Sequence, residues 1–145
     1  MRVVDANVLL YAVNADARHH TASHAWLERA LGGADTVGLS WMALLAFARL
    51  ATKPEIFPSP LSPSAAMEQI QTWIDAPSAH VLHPGERHAA ILGDLLEGVG
   101  TAGNLVNDAH LAAIAIEHRA SVVSYDNDFS RFPGVRWHRP DALLA

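Results

Sequence analysis

Four short apolar runs, Arg2–Asp5, Thr36–Leu39, His80–Leu82 and Ser121–Ser124, are kept apart by stretches in which apolar residues recur at helical spacing. A strand that reaches the next one through a helix cannot turn back in a tight hairpin, and the crossover sets the neighbouring strands parallel. The expectation is an α/β fold: a three-layer sandwich with a central, mostly parallel sheet of four to five short strands and helices on both faces. Val135–Trp137, after the Pro133-Gly134 turn, is the candidate fifth strand. In such sheets ligands bind beyond the carboxyl ends of the strands, so the residues at those ends carry the functional interest.

The intervening helices bring their own start and stop signals. After Asp5, Ala6-Asn7 turns into an apolar helical segment through Tyr11. His19–Leu31 places Ala22, Trp26, Leu27 and Ala30 on one face and is stopped by Gly32-Gly33. Ser40 can accept from the free amides that open Trp41–Ala51, and Lys53-Pro54 ends that helix. Beyond the proline-rich loop 57–63, Ser62-Pro63 supplies a capping hydroxyl and a first-turn proline to a helix reaching about Ile74. Glu86 to about Glu97, ended by Gly98, and Val106–Arg119 complete the set. With 145 residues, no repeat and no separating linker, one domain over 1–145 is expected.

Half of the residues are hydrophobic and 17% are charged, as a compact chain requires. The absence of cysteine excludes disulfides, thiolate zinc sites and cysteine nucleophiles, and fits the reducing cytoplasm taken as the expected location. Met1-Arg2-Val3-Val4-Asp5 meets an acid after two apolar residues, too soon for the centre of a signal peptide, and no apolar run approaches a membrane span. No membrane partner is expected. The formal charge of −5 and the single lysine, Lys53, disfavour a broad basic face for nucleic acid, although carboxylates loaded with divalent cations are partly neutralised.

Asp5 and Asp126 fall at strand carboxyl ends, Asp108 sits in the first turn of a helix, and Asp128 follows Asp126 by two residues. Singly, each has an ordinary explanation: a helix cap for Asp5, the amide dipoles for Asp108, turn chemistry around Asn127 for the last pair. Together they do not, because three separate segments deliver carboxylates to one sheet edge, and such a cluster repels itself unless cations occupy it. Oxygen ligands without cysteine favour Mg²⁺, with Mn²⁺ as substitute, over zinc. Such ions orient a phosphodiester, activate water and stabilise the leaving oxygen, a pair of them lying about 3.5–4 Å apart. Phosphodiester hydrolysis is the expected chemistry. Of the histidines, His19, His20 and His24 read as a solvated helix start, and His110 and His118 are too far apart for joint ligation. Trp26, Trp41, Trp73 and Trp137 read as core or interface.

Three segments in order, Val3 to Tyr11, Gly103 to Ala112 and Ser124 to Phe129, resemble PIN-domain ribonucleases, and within them the VapC toxins of bacterial toxin–antitoxin pairs. Leu44 to Thr52 resembles the family's second segment, so the likeness runs nearly the full length. The resemblance implies a PIN-like sandwich and a Mg²⁺-dependent endoribonuclease acting on RNA. It makes Asp5, Asp108 and Asp126 metal-binding carboxylates, Asp128 an auxiliary catalytic one, and Asn7 and Ser124 polar supports of the site. It also implies a homodimer and a small antitoxin protein as partner. Ala46 stands where many members carry glutamate, with Arg49 nearby, which favours one well-held Mg²⁺ between Asp5 and Asp108 over two.

Two other readings compete. Aspartyl-phosphate enzymes also place an aspartate after a first parallel strand. Phosphatases of that type want a second aspartate two residues on, where this chain has Asn7, and their lysine has only Lys53 to correspond. A catalytically inactive PIN-like interaction module accounts for Ala46 but not for four retained aspartates.

Overall fold

The computed structural model describes residues 1–100 and 103–145 and contains a five-stranded sheet in the order β3-β2-β1-β4-β5. The strands are β1 (Arg2–Val4), β2 (Val37–Ser40), β3 (Ala79–Leu82), β4 (Ser121–Val123) and β5 (Trp137–His138), and every pairing is parallel. Helices α1 (Ala6–Val13), α2 (His20–Arg29), α3 (Trp41–Ala51), α4 (Pro63–Asp75), α5 (His88–Val99), α6 (Val106–Glu117) and α7 (Pro140–Leu143) cover it. This is the α/β sandwich anticipated from the strand and helix alternation.

Successive side chains of a strand point to opposite faces, and the core divides accordingly. Val4 and Val123 pack with Leu9, Trp26, Leu44, Phe47, Ile70 and Trp73, from α1 to α4, on one face. Val3 and Val122 pack with Ile91, Leu95, Leu111 and Ile114, from α5 and α6, on the other. Strands buried on both sides read as continuous apolar runs, which is why Val3-Val4 and Val122-Val123 show no alternation with polar residues.

From β1 the chain moves through β2 to β3 on one side, then returns to lay β4 and β5 on the other side of β1. The change of direction falls between β1 and β4, and open parallel sheets bind ligands beyond the strand carboxyl ends at such a point. Asp5 and Ser124 directly follow those two strands.

Several boundaries differ from the sequence expectation. Helix α5 runs through Gly98 and stops at Gly100, whose φ of +72° lets its amide turn back to the carbonyls of Leu96 and Glu97 at 3.1 Å. Helix α2 widens into a π-type turn over Ala30–Ala34, within which Gly33 leaves helical geometry at φ +114°. Helix α7 was not anticipated, although Arg139-Pro140 offered a first-turn proline. Trp26 and Trp73 are core residues, Trp73 meeting Phe47 edge-on at 4.8 Å between centroids, while Trp41 is 40% exposed. Among the described residues no helix is long and apolar enough to cross a membrane.

Candidate active site

Asp5 leaves β1 and caps α1, its Oδ1 accepting from the Ala6 amide at 2.7 Å. Its other oxygen accepts from Ser124 Oγ at 2.7 Å and from Asn7 Nδ2 at 3.2 Å. Asn7 also donates to Ser124 Oγ at 3.1 Å and accepts the Tyr125 amide at 3.2 Å. Ser124, fully buried, accepts the Asp126 amide at 2.9 Å. One hydroxyl thus donates once and accepts twice, its whole capacity, and ties the end of β1 to the end of β4. Asn7 and Ser124 both donate to the same oxygen of Asp5.

Asp126 caps the 3₁₀ turn Asn127–Arg131 by accepting the Asp128 amide at 2.8 Å. Asp108 projects from the first turn of α6. Asp108, Asp126 and Asp128 each bring a carboxylate oxygen within 4.8 Å of the other two, the one such convergence of His, Asp and Glu among the described residues. Asp128, read from the sequence as auxiliary, belongs to this trio. Asp5 stands beside it, outside that convergence but close enough for its charge to act on Asp108.

The electrostatics follow from this crowding. Burial, then the charges of Asp126 and Asp5, a hydrogen bond with Asp126 and the charge of Asp128, push the Asp108 carboxyl up to about 7. Burial also raises Asp5, opposed by the hydrogen bonds from Ser124 and Ala6 and reinforced by the charge of Asp126. An all-oxygen set that resists ionisation in the absence of positive charge fits a hard divalent cation. Ala46, half-buried in α3, adds no ligand.

The histidines lie elsewhere. His110 pairs with His88 across α5 and α6, Nδ1 to Nε2 at 2.9 Å, a contact with no signature in spacing. His19 and His20 are partly buried, not solvated: His19 stacks on Tyr125 at 4.0 Å, and His20 Nδ1 lies 2.8 Å from the Tyr11 carbonyl. Tyr125, Asp141 and Arg139 border the acidic loop and were not singled out in the sequence, because their partners are distant along the chain or in an unanticipated helix.

Residues 2–135 match the PIN domain. The chain belongs to the PIN-domain family. This PIN domain is 61% identical over 144 residues to Ribonuclease VapC37 of Mycobacterium tuberculosis, covering 99% of this chain and all of the relative. It is 40% identical to Ribonuclease VapC43 of the same species, over 97% of this chain and 95% of that one. Its fold is similar to VapBC2 from Rickettsia felis bound to a promoter DNA fragment, with a TM-score of 0.69, 20% identity and coverage of 95% and 97%. It is also similar to VapC20 of M. tuberculosis, a Sarcin-Ricin loop cleaving toxin, with a TM-score of 0.66, 18% identity and coverage of 94% and 99%.

Proposed function

We propose that this PIN domain, spanning residues 1–145 as one unit, is a Mg²⁺-dependent endoribonuclease and the toxin of a toxin–antitoxin pair, with Mn²⁺ able to substitute. The observation that carries the reading is the convergence of Asp108, Asp126 and Asp128 beside Asp5 at the sheet's direction change, close enough to hold Asp108 at about 7. The near full-length likeness to VapC ribonucleases supports RNA as substrate, and likeness to VapBC assemblies supports an antitoxin protein as partner. Residence in the cytoplasm completes the reading.

Asp108, Asp126 and Asp128 would hold the ion, with Asp5 as the fourth carboxylate of the site. When bound, the ion supplies positive charge to orient a phosphodiester and to activate water. The chain's own contribution is orientation. Ser124 and Asn7 donate to one Asp5 oxygen and the Ala6 amide to the other, so the carboxylate cannot rotate away. The Asp128 amide fixes Asp126 in the same manner.

Hydrolysis by an external water breaks the bond from phosphorus to the 3′ oxygen and leaves a 5′-phosphate and a 3′-hydroxyl. Attack by the RNA's own 2′-hydroxyl would leave a cyclic phosphate, so end-group mapping of cleaved total RNA tests the mechanism. Asp5→Ala and Asp108→Ala are expected to remove essentially all activity, and EDTA to do the same reversibly. Cleavage that continues undiminished in EDTA, or no cleavage of any RNA with Mg²⁺ or Mn²⁺, overturns the reading. The aspartyl-phosphate alternative loses its lysine: Lys53 is exposed beyond the C-terminal end of α3, whereas the N-terminal end of α3 is the one next to the strand ends. An inactive module would gain from the second outcome.

A further inference from the structure

The segment that follows β4 serves two neighbours at once. Asp126 and Asp128 turn to the carboxylate cluster, while Tyr125 and Asn127 turn to the C-terminal segment. Tyr125 Oη donates to Asp141 Oδ1 at 2.6 Å, and Arg139 Nη2 donates to Asn127 Oδ1 at 2.8 Å. The Tyr125 ring is stacked on His19 at 4.0 Å and tilted against Tyr11 at 5.6 Å.

Between the buried Ser124 and the buried Phe129 the acidic segment is held mainly by side chains. The amides of Tyr125, Asp126 and Asp128 are each taken by a side-chain oxygen, of Asn7, Ser124 and Asp126 in turn, in place of a sheet ladder. The C-terminal segment is anchored independently: the His138 carbonyl accepts the Ser124 amide at 3.0 Å, Pro140 is buried, and Leu143 and Leu144 pack against the core of α1 to α4. Two side-chain hydrogen bonds thus join the acidic segment to α7 and the residue before it.

We propose that Tyr125 and Asn127 are positioning residues, through which Asp141 and Arg139 at α7 set where Asp126 and Asp128 stand relative to Asp108. The inference rests on the reading of those aspartates as the cation-binding, catalytic set. A hard cation accepts oxygens only within a narrow range, about 2.0–2.6 Å depending on the ion, so a loop that drifts by an ångström loses a ligand. Outer residues that hold ligands in place typically matter 10–100-fold in metal affinity. The side chains of Tyr125 and Asn127 bond Asp141 and Arg139, so both act on the aspartates through the backbone of the loop.

The test compares the full chain with Tyr125→Phe, Asp141→Ala, the double variant and Asp141→Asn. Three readouts are followed: Mn²⁺ affinity by calorimetry, amide exchange of Asp126 and Asp128 by NMR, and kcat and KM on a cleaved RNA. Tyr125→Phe and Asp141→Ala are each expected to weaken Mn²⁺ about 10-fold, speed both amides, and lower kcat with KM little changed. The double variant should be no worse than either single one, because one hydrogen bond is lost in all three. Asp141→Asn keeps an oxygen that can accept from the phenol and should restore wild-type behaviour. Unchanged Mn²⁺ affinity and exchange in Tyr125→Phe and Asp141→Ala overturn the proposal, as does an Asp141→Asn variant as impaired as Asp141→Ala. Should Asp141→Ala fail to fold, Tyr125→Phe, which removes a single oxygen, carries the test. A wild-type chain that cleaves no RNA would remove the catalytic reading alone, since the exchange measurement still judges the brace.

Discussion

At Asp108 a single side chain couples stability to the state of the site. Its carboxyl is raised from an ordinary 3.8 to about 7 in the folded protein, so folding favours the protonated form. The stability it contributes is therefore complete below about 4 and is lost as pH rises through about 7. The metal-free protein is expected to melt at progressively lower temperature across that window, and Asp108→Asn to flatten much of the decline. At pH 8 the metal-free Asp108→Asn variant should melt above metal-free wild type, having lost a charge surrounded by like charges. Thermal melts in chelator from pH 4 to 8 check both; an Asp108→Asn curve parallel to wild type would deny the repulsion.

Helix α3 joins two roles in eleven residues. Its first turn is closed by Ser40, buried at the end of β2, whose Oγ accepts the Ala43 amide at 3.2 Å. Ser40→Ala should cost about 1 kcal/mol, read from denaturant midpoints, because a capping acceptor is lost inside the protein. The outward face of the same helix carries Trp41, 40% exposed, and Leu45, 58% exposed, one turn apart. This is the surface on which the expected homodimer is proposed to form; Trp73 is buried in the core and has no part in it. Light scattering at micromolar concentration should give twice the chain mass for wild type and the monomer mass for Trp41→Ser combined with Leu45→Ser. A wild-type monomer ends the dimer claim and leaves the catalytic one intact.

For the molecule as a whole, cation binding is a source of stability, since the unfolded chain scatters its four aspartates. Free Mn²⁺ at a hundred times Kd should stabilise by about 2.7 kcal/mol. For a chain of this length that is a rise in melting temperature of roughly 5–10 °C. Neither Asp108→Ala nor EDTA-treated wild type should show the rise. Saturating Mn²⁺ that leaves the melt of metal-free wild type unmoved argues against a folded-state cation site.

Much of this was legible without coordinates, for local reasons. Val3-Val4 and Val122-Val123 had to be buried strands because nothing in them could face water, and helices between them forced parallel pairing. Asp5 and Asp126 were marked as site residues by falling at the ends of those strands. The tertiary structure alone decided what depends on contacts between distant segments. It put Asp128 in the converging trio, filled every hydrogen-bonding position of Ser124, paired His88 with His110, and joined Tyr125 to Asp141. It also ended α5 at Gly100 in place of Gly98, although either glycine could have turned the chain. Periodicity and capping act within about four residues of sequence and can be read there. Which carboxylate meets which is set by how two strands and a helix dock, and that is written in no single stretch of the chain.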